Sequence, residues 1–209
     1  MPEISIQLIR PDETDLMDAA FALYSSAIEK TEQRPEALFR ALAERADYRF
    51  VAAVMDGRLV GVAVAWIPPE SGFWLFEYAA VADDMRGRGV GANLFFATRY
   101  VAGQERAALI EVDADLGAPE QAKRLNFYRR LGCRKVGGLD YQLPLEAFGK
   151  PPPMWLLVMA QQETMAVSVF ALEDWLRRIY SEVYGMGLDD PRLAQMIDPL
   201  PDVVGLEAI

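Results

Sequence analysis

Arg86, Gly87, Arg88, Gly89, Val90, Gly91 and Ala92 follow one another without a break, and these residue types in this order suit the holding of phosphate. Glycine lets the backbone take unusual dihedrals and approach a ligand closely. An apolar run ending in Val81 precedes the turn, and a helix-like run (GANLFFATRYVA) follows it. At a helix start the N–H groups lack intrahelical acceptors, and the helix dipole favours an anion there. Arg86 and Arg88 add positive charge. The expected ligand carries phosphate, with pyrophosphate as the expected form.

The elements that must position this turn read from periodicity. Residues 4–9 alternate as a strand, and residues 12–30 carry an apolar helical face through Leu16, Ala20, Leu23 and Ala27 with Met17, Tyr24 and Ile28. A second helix is expected over 35–46. Residues 48–55 and 59–67 form a hairpin about Asp56-Gly57. Strands follow at 74–81, 107–112, 134–143 and 154–160, with helices at 91–102 and 119–131. Pro119 opens the last of these helices and Gly132 closes it. Residues 170–184 read as one amphipathic helix, with Trp175, Tyr180 and Tyr184 on it. Beyond 185 the chain is rich in Pro, Gly and Asp and shows little periodicity.

Composition narrows the chemistry. The chain has 209 residues, no histidine and one cysteine, Cys133. Histidine-based nucleophilic schemes, histidine metal sites and imidazole acid–base catalysis are therefore excluded. A lone cysteine makes no disulfide within the chain and no thiolate metal site. Carboxylates, tyrosines, lysines and backbone amides remain. The net charge of −10 argues against a nucleic-acid partner and leans toward a cationic small molecule. The N-terminus lacks a signal-peptide pattern, and no apolar run approaches the roughly 18 residues of a membrane span. A soluble cytoplasmic protein without membrane or metal partner is the expectation, and a homodimer is compatible with it. Asp83, Asp84, Asp113 and Asp115 read as solvated turns.

Three readings of the glycine turn stand side by side. One is a plain structural turn. A second is a dinucleotide fingerprint, Gly87-x-Gly89-x-x-Ala92, with Glu111 at about the distance expected of a ribose contact. Ala82, Asp83, Asp84, Met85 and Arg86 separate its glycines from the strand, where that fingerprint has them follow almost at once. The third is a resemblance. Arg86-x-x-Gly89-x-Gly91 resembles the acyl-CoA pyrophosphate loop of the GNAT superfamily of N-acetyltransferases. Residues 126–133, NFYRRLGC, are similar to that family's F-Y-x-x-x-G-F segment, and residues 77–81, EYAAV, to its E-Y-L-A-V strand. The resemblance spans about residues 4–160. Cys133 stands where the family has phenylalanine, and Gln121 and Arg124 replace small or amide residues.

The resemblance implies a mixed α/β fold: a twisted sheet splayed between its fourth and fifth strands, with helices on both faces. Residues 1–163 would form this domain, and beyond the resemblance residues 164–209 are expected as a C-terminal helical extension, a helix followed by an irregular tail, packed on the domain or on a partner subunit. It implies transfer of an acetyl group from acetyl-CoA, as co-substrate, to a primary amine of a small molecule or peptide. The loop from Arg86 to Ala92 would hold the pyrophosphate, and Ala79, Ala80 and Val81 would align the pantetheine arm. Tyr128 would be the general acid at the leaving thiolate, although packing on the face of Leu125 and Leu131 also explains an aromatic ring there. Glu77 is the candidate base, acting through water, because a carboxylate amid an apolar strand is costly to bury. A carboxylate satisfied by an arginine or a backbone amide explains it equally. The acceptor pocket would draw on residues 25–34 and 141–153. A CoA-binding module without turnover and a nicotinamide-dependent oxidoreductase are the alternatives.

Overall fold

Runs of valine and alanine buried on both faces build the first half of the molecule. The computed structural model describes residues 3–28, 30, 33–114, 117–144, 153–161 and 164–209. The chain divides into two units, Met1–Arg106 and Ala107–Ile209.

The first unit holds β1 (Ile4–Leu8), α1 (Thr14–Ala27), α2 (Glu36–Ala43), β2 (Tyr48–Met55), β3 (Arg58–Trp66), β4 (Phe73–Val81) and α3 (Val90–Ala102). Its strands pair antiparallel in the order β1-β2-β3-β4. In β3, Gly61, Ala63 and Ala65 alternate with Val60, Val62, Val64 and Trp66, and all are buried. Period-2 alternation puts the small residues on one face and the large ones on the other. The small face admits α3 closely: a Cβ on Gly61 would lie 2.9 Å from Val90 Cγ1 and from Leu94 Cδ1. α1 also packs on β3 and β4. An aromatic cluster of Phe21, Tyr24, Phe39, Phe50 and Tyr78 fills the space among α1, α2 and the sheet, with ring centroids 4.5–6.1 Å apart.

The second unit holds β5 (Ala107–Asp113), α4 (Pro119–Leu131), β6 (Arg134–Val136), β7 (Met154–Met159), β8 (Ala166–Ser168), α5 (Val169–Arg178), α6 (Pro191–Ile197) and β9 (Val203–Glu207). Its strands pair antiparallel in the order β5-β7-β6-β9-β8. The mixed α/β class and the helices laid on the sheets agree with the sequence reading.

Three elements differ from it. β6 ends at Val136 because Gly137 and Gly138 turn the chain; Tyr141 returns only as an isolated bridge to Met154. The helix expected over 170–184 becomes a π-helical turn at Ile179–Val183. The segment after 185 contains α6 and β9, so the C-terminal extension is not helical alone. Asp190 caps α6 through its side chain, and β9 buries only Val204 and Leu206, too short an alternation to stand out. Among the described residues, no helix is long and apolar enough to cross a membrane.

Candidate functional site

After β4 the chain makes a 3-10 turn, Asp83–Met85, and Met85 is buried beneath it. Gly87 and Gly89 then take φ of +77° and +83°, and a Cβ built on either meets nothing within 4 Å. The turn thus presents its backbone outward. Gly89 is the residue before α3, and the amide of Asn93 is the one that returns to its carbonyl, at 3.0 Å. The amides of Val90, Gly91 and Ala92 precede that bond and open the helix. Arg86 pairs with Asp83 at 2.8 Å, both largely exposed. An exposed pair of this kind contributes little and exchanges readily for a stronger anion. The residues present therefore fit a pyrophosphate.

β4 carries the second part. The amide of Ala82 donates to the Val60 carbonyl at 3.0 Å. By alternation Ala80 also turns its polar groups to β3, while those of Ala79 and Val81 point away from β3. The register with β3 slips between Val64, opposite Tyr78, and Ala65, opposite Phe76. Glu77 is therefore the extra residue of a β-bulge, which re-aims a side chain and breaks the alternation. Counting back by twos from Ala79 does not give the face on which Glu77 lies.

Glu77 is 1% exposed in its side chain and Arg34 18%. Arg34 donates to Glu77 Oε1 from Nε at 3.0 Å and from Nη2 at 2.7 Å. The explanation by an arginine partner is the one met here: Glu77 is paired with Arg34, and its other oxygen, Oε2, is buried with no hydrogen-bond partner among the described residues. Burial works against the charge of Arg34, but the Glu77 carboxylate prevails and raises its pKa. Tyr24, Tyr48 and Tyr78 surround the pair. Burial is the first cause that raises each of their pKa values, and the charge of Glu77 adds to it. The sequence placed Arg34 only within the acceptor segment 25–34 and singled out neither it nor these tyrosines as neighbours of Glu77. Arg34 lies 43 residues from Glu77, and no local spacing marks the pair.

Tyr128 lies on α4 with Leu125 and Leu131 on the buried face, itself 8% exposed. Burial raises its pKa, so the phenol keeps its proton at neutral pH. Cys133, just past the helix, is buried.

Glu111 is held at both oxygens. Tyr141 donates a short hydrogen bond to Oε1, and Tyr184 donates to Oε2 at 2.6 Å. This arrangement does not suit the ribose contact of a dinucleotide site. Tyr180 donates to the Gln142 carbonyl, so the π-helical turn carries two tyrosines onto the β5 end of this unit. Asp113 pairs with Arg124 at 2.9 Å; Asp115 lies outside the described residues. Of the two acceptor segments expected, residues 29, 31 and 32 of the first and 145–152 of the second also lie outside them. Among the described residues no cluster of three or more acidic or cysteine side chains is placed to hold a metal.

Comparison with known proteins bears on the whole arrangement. The family model described as "Acetyltransferase (GNAT) family" matches residues 15–133. A solved structure named for a GNAT-family acetyltransferase from Bacteroides thetaiotaomicron superposes with a TM-score of 0.72 at 20% identity, covering 88% of this chain and 99% of its own. The ribosomal-protein-S18-alanine N-acetyltransferase from Escherichia coli gives 0.58 at 15% identity, covering 77% and 98%. At these identities the likeness is one of fold. An aminoglycoside acetyltransferase from an uncultured soil metagenomic sample gives 0.54 at 26% identity, covering 69% and 99%. No curated protein sequence matches.

Proposed function

Because the chain belongs to the acetyltransferase (GNAT) family and is therefore an acyltransferase, we propose that it moves an acetyl group from acetyl-CoA directly to a primary amine. Members of this family use acetyl-CoA as co-substrate. The observation that carries the reading is the outward-facing turn at Gly87 and Gly89, flanked by Arg86 and Arg88 and opening straight into α3. When bound, acetyl-CoA supplies a thioester whose carbonyl carbon accepts the amine.

The chain's own groups divide the remaining work. Arg86, Gly87, Arg88, Gly89, Val90, Gly91 and Ala92 hold the pyrophosphate through helix-opening amides and guanidinium charge. Ala79 and Val81 pair with the pantetheine arm along the side of β4 turned away from β3, and Ala80 keeps the strand in register with Val62. Glu77 takes a proton from the acceptor ammonium, directly or across one water, so that nitrogen attacks in its neutral form. Tyr128 gives its phenolic proton to the leaving thiolate, and the second proton that the nitrogen releases as the amide forms returns to the phenolate; a thiol with a pKa of about 8.5 is a better leaving group once protonated.

Charge and the named relatives support a reading of the acceptor class. An excess of ten acidic charges favours a cationic acceptor. The similar structures are named for aminoglycosides and for a ribosomal-protein alanine, which bracket a small polyamine-like molecule and a peptide amine. The test is thermal melting with acetyl-CoA, CoA and NADH, each at about a hundredfold its dissociation constant. Binding to the folded state alone adds ~2.7 kcal/mol at that excess. A rise with both CoA forms and none with NADH is expected. A rise with NADH alone overturns the reading. Thiol release from acetyl-CoA with a panel of amines then separates a working enzyme from a CoA-binding module.

A further inference from the structure

The pair formed by Arg34 and Glu77 engages one oxygen of a buried carboxylate and leaves the other without a hydrogen bond among the described residues. Two donor nitrogens of Arg34, Nε and Nη2, converge on one oxygen, Oε1. The other oxygen is buried and has no hydrogen-bond partner among the described residues, and the same holds for Tyr48 Oη and Ser25 Oγ. The Tyr48 hydroxyl is electrostatically coupled to Glu77. Leaving a buried carboxylate oxygen bare is costly.

Arg34 is itself held from behind. Its backbone amide donates to Tyr24 Oη at 2.6 Å. The preceding residue, Gln33, donates from Nε2 to the carbonyls of Ser25 at 2.8 Å and Ile28 at 2.6 Å, at the end of α1. Tyr24 is fixed in turn by its ring contacts with Phe39, at 4.5 Å, and Tyr78, at 5.0 Å. The segment between α1 and α2 thus reaches the bulge of β4 through one guanidinium. The titratable groups facing Glu77 are Arg34, Tyr24, Tyr48 and Tyr78, with Arg45 acting from farther off.

We propose that Arg34 is a positioning residue for acetyl transfer: it grips Glu77 by Oε1 and so presents Oε2 to the acceptor amine. This rests on the acetyl-transfer reading above. One proton passes from the acceptor ammonium to Oε2, directly or across a water, and Arg34 exchanges none.

The test is a kinetic double-mutant cycle by thiol release, with spermidine, an aminoglycoside and a peptide bearing a free N-terminal alanine as probe acceptors. Arg34→Met is expected to lower kcat about 100-fold, within the range of a misplaced general base, and to leave KM for acetyl-CoA within twofold. Arg34→Lys, which restores the charge, is expected to recover at least a tenth of wild-type kcat. In a Glu77→Gln background Arg34→Met should cost less than threefold, because residues that act through one another are not additive. Equal losses of kcat in the two backgrounds overturn the positioning role while leaving the transferase reading intact. So does a loss confined to KM for acetyl-CoA. Absence of wild-type turnover with all three probes overturns both. If Arg34→Met does not fold, Arg34→Gln and Arg34→Lys complete the cycle in its place.

Discussion

At the scale of single residues, burial decides protonation state, and protonation state decides role. Tyr128 is buried and stays protonated, the form a proton donor needs. Tyr128→Phe is expected to cut turnover by a factor of ~100 or more while the melting shift with acetyl-CoA remains as in the wild type. An unchanged kcat would return Tyr128 to plain packing with Leu125 and Leu131. Asp47 shows the opposite direction. Burial pushes its carboxyl up, but hydrogen bonds from Arg45 at 2.6 Å and Trp66 Nε1 at 2.8 Å outweigh this and hold it below the ordinary value. A carboxyl depressed in the folded state adds stability above its unfolded pKa, about 3.9, and this is lost as pH falls through the folded value. Asp47→Ala also strips a polar partner from the buried Trp66 ring, so a loss of ~2 kcal/mol is expected at pH 7. Urea unfolding at pH 7 and pH 3 should show the gap between wild type and variant narrowing at the lower pH. The burial of Tyr128 could be read from the spacing of its helix face. The Arg34–Glu77 pair could not, because its partners meet only once the aromatic cluster has packed α1 and α2 onto the sheet.

At the scale of elements, the glycine turn after β4 is held in place by a feature on the neighbouring strand. Gly61 lets α3 approach β3, and α3 carries the turn at its N-terminus. Gly61→Val would force side-chain atoms into Val90 and Leu94. Overpacking of this kind costs ~1–3 kcal/mol, and the displaced helix start should weaken acetyl-CoA as well. Gly89→Ala acts on the turn alone, since a side chain at φ +83° costs ~1–2 kcal/mol with no atom in its way. Isothermal titration with CoA, read beside the melting temperature of each apoprotein, separates the two. Gly61→Val should lower both, and Gly89→Ala should lower affinity more than stability. Equal affinity in Gly89→Ala and wild type would remove this turn from the site. The hairpin, α3 and α4 were legible because periodicity, Asp56-Gly57, Pro119 and Gly132 mark them locally. The bulge at Glu77 was not: one inserted residue leaves no trace in composition, yet it changes the face of a strand.

At the scale of the whole chain, residues 164–209 are part of the second unit's sheet rather than an appendage to it. β9 pairs with β6 through Lys135 opposite Glu207 and Val136 opposite Leu206, and β8 pairs with β9. Leu172, Leu176, Ile179, Tyr180, Val204 and Leu206 are all buried. Tyr184 and Tyr180 satisfy Glu111 and the Gln142 carbonyl. These ties are long-range and the strands short, which is why the segment looked irregular when read by periodicity alone. Removing it would open the edge of β6 and take from Glu111 the hydrogen bond of Tyr184. A chain ending at residue 163 is therefore expected to lose protection of the β5 and β7 amides in hydrogen exchange and to aggregate. Tyr184→Phe, which deletes one hydrogen bond to a charged group, should cost only ~1.5–3 kcal/mol and keep the exchange pattern. A shortened chain with the full melting temperature and intact β5 and β7 protection would show the segment to be an independent addition, and the domain boundary near residue 163 would then stand as a physical one.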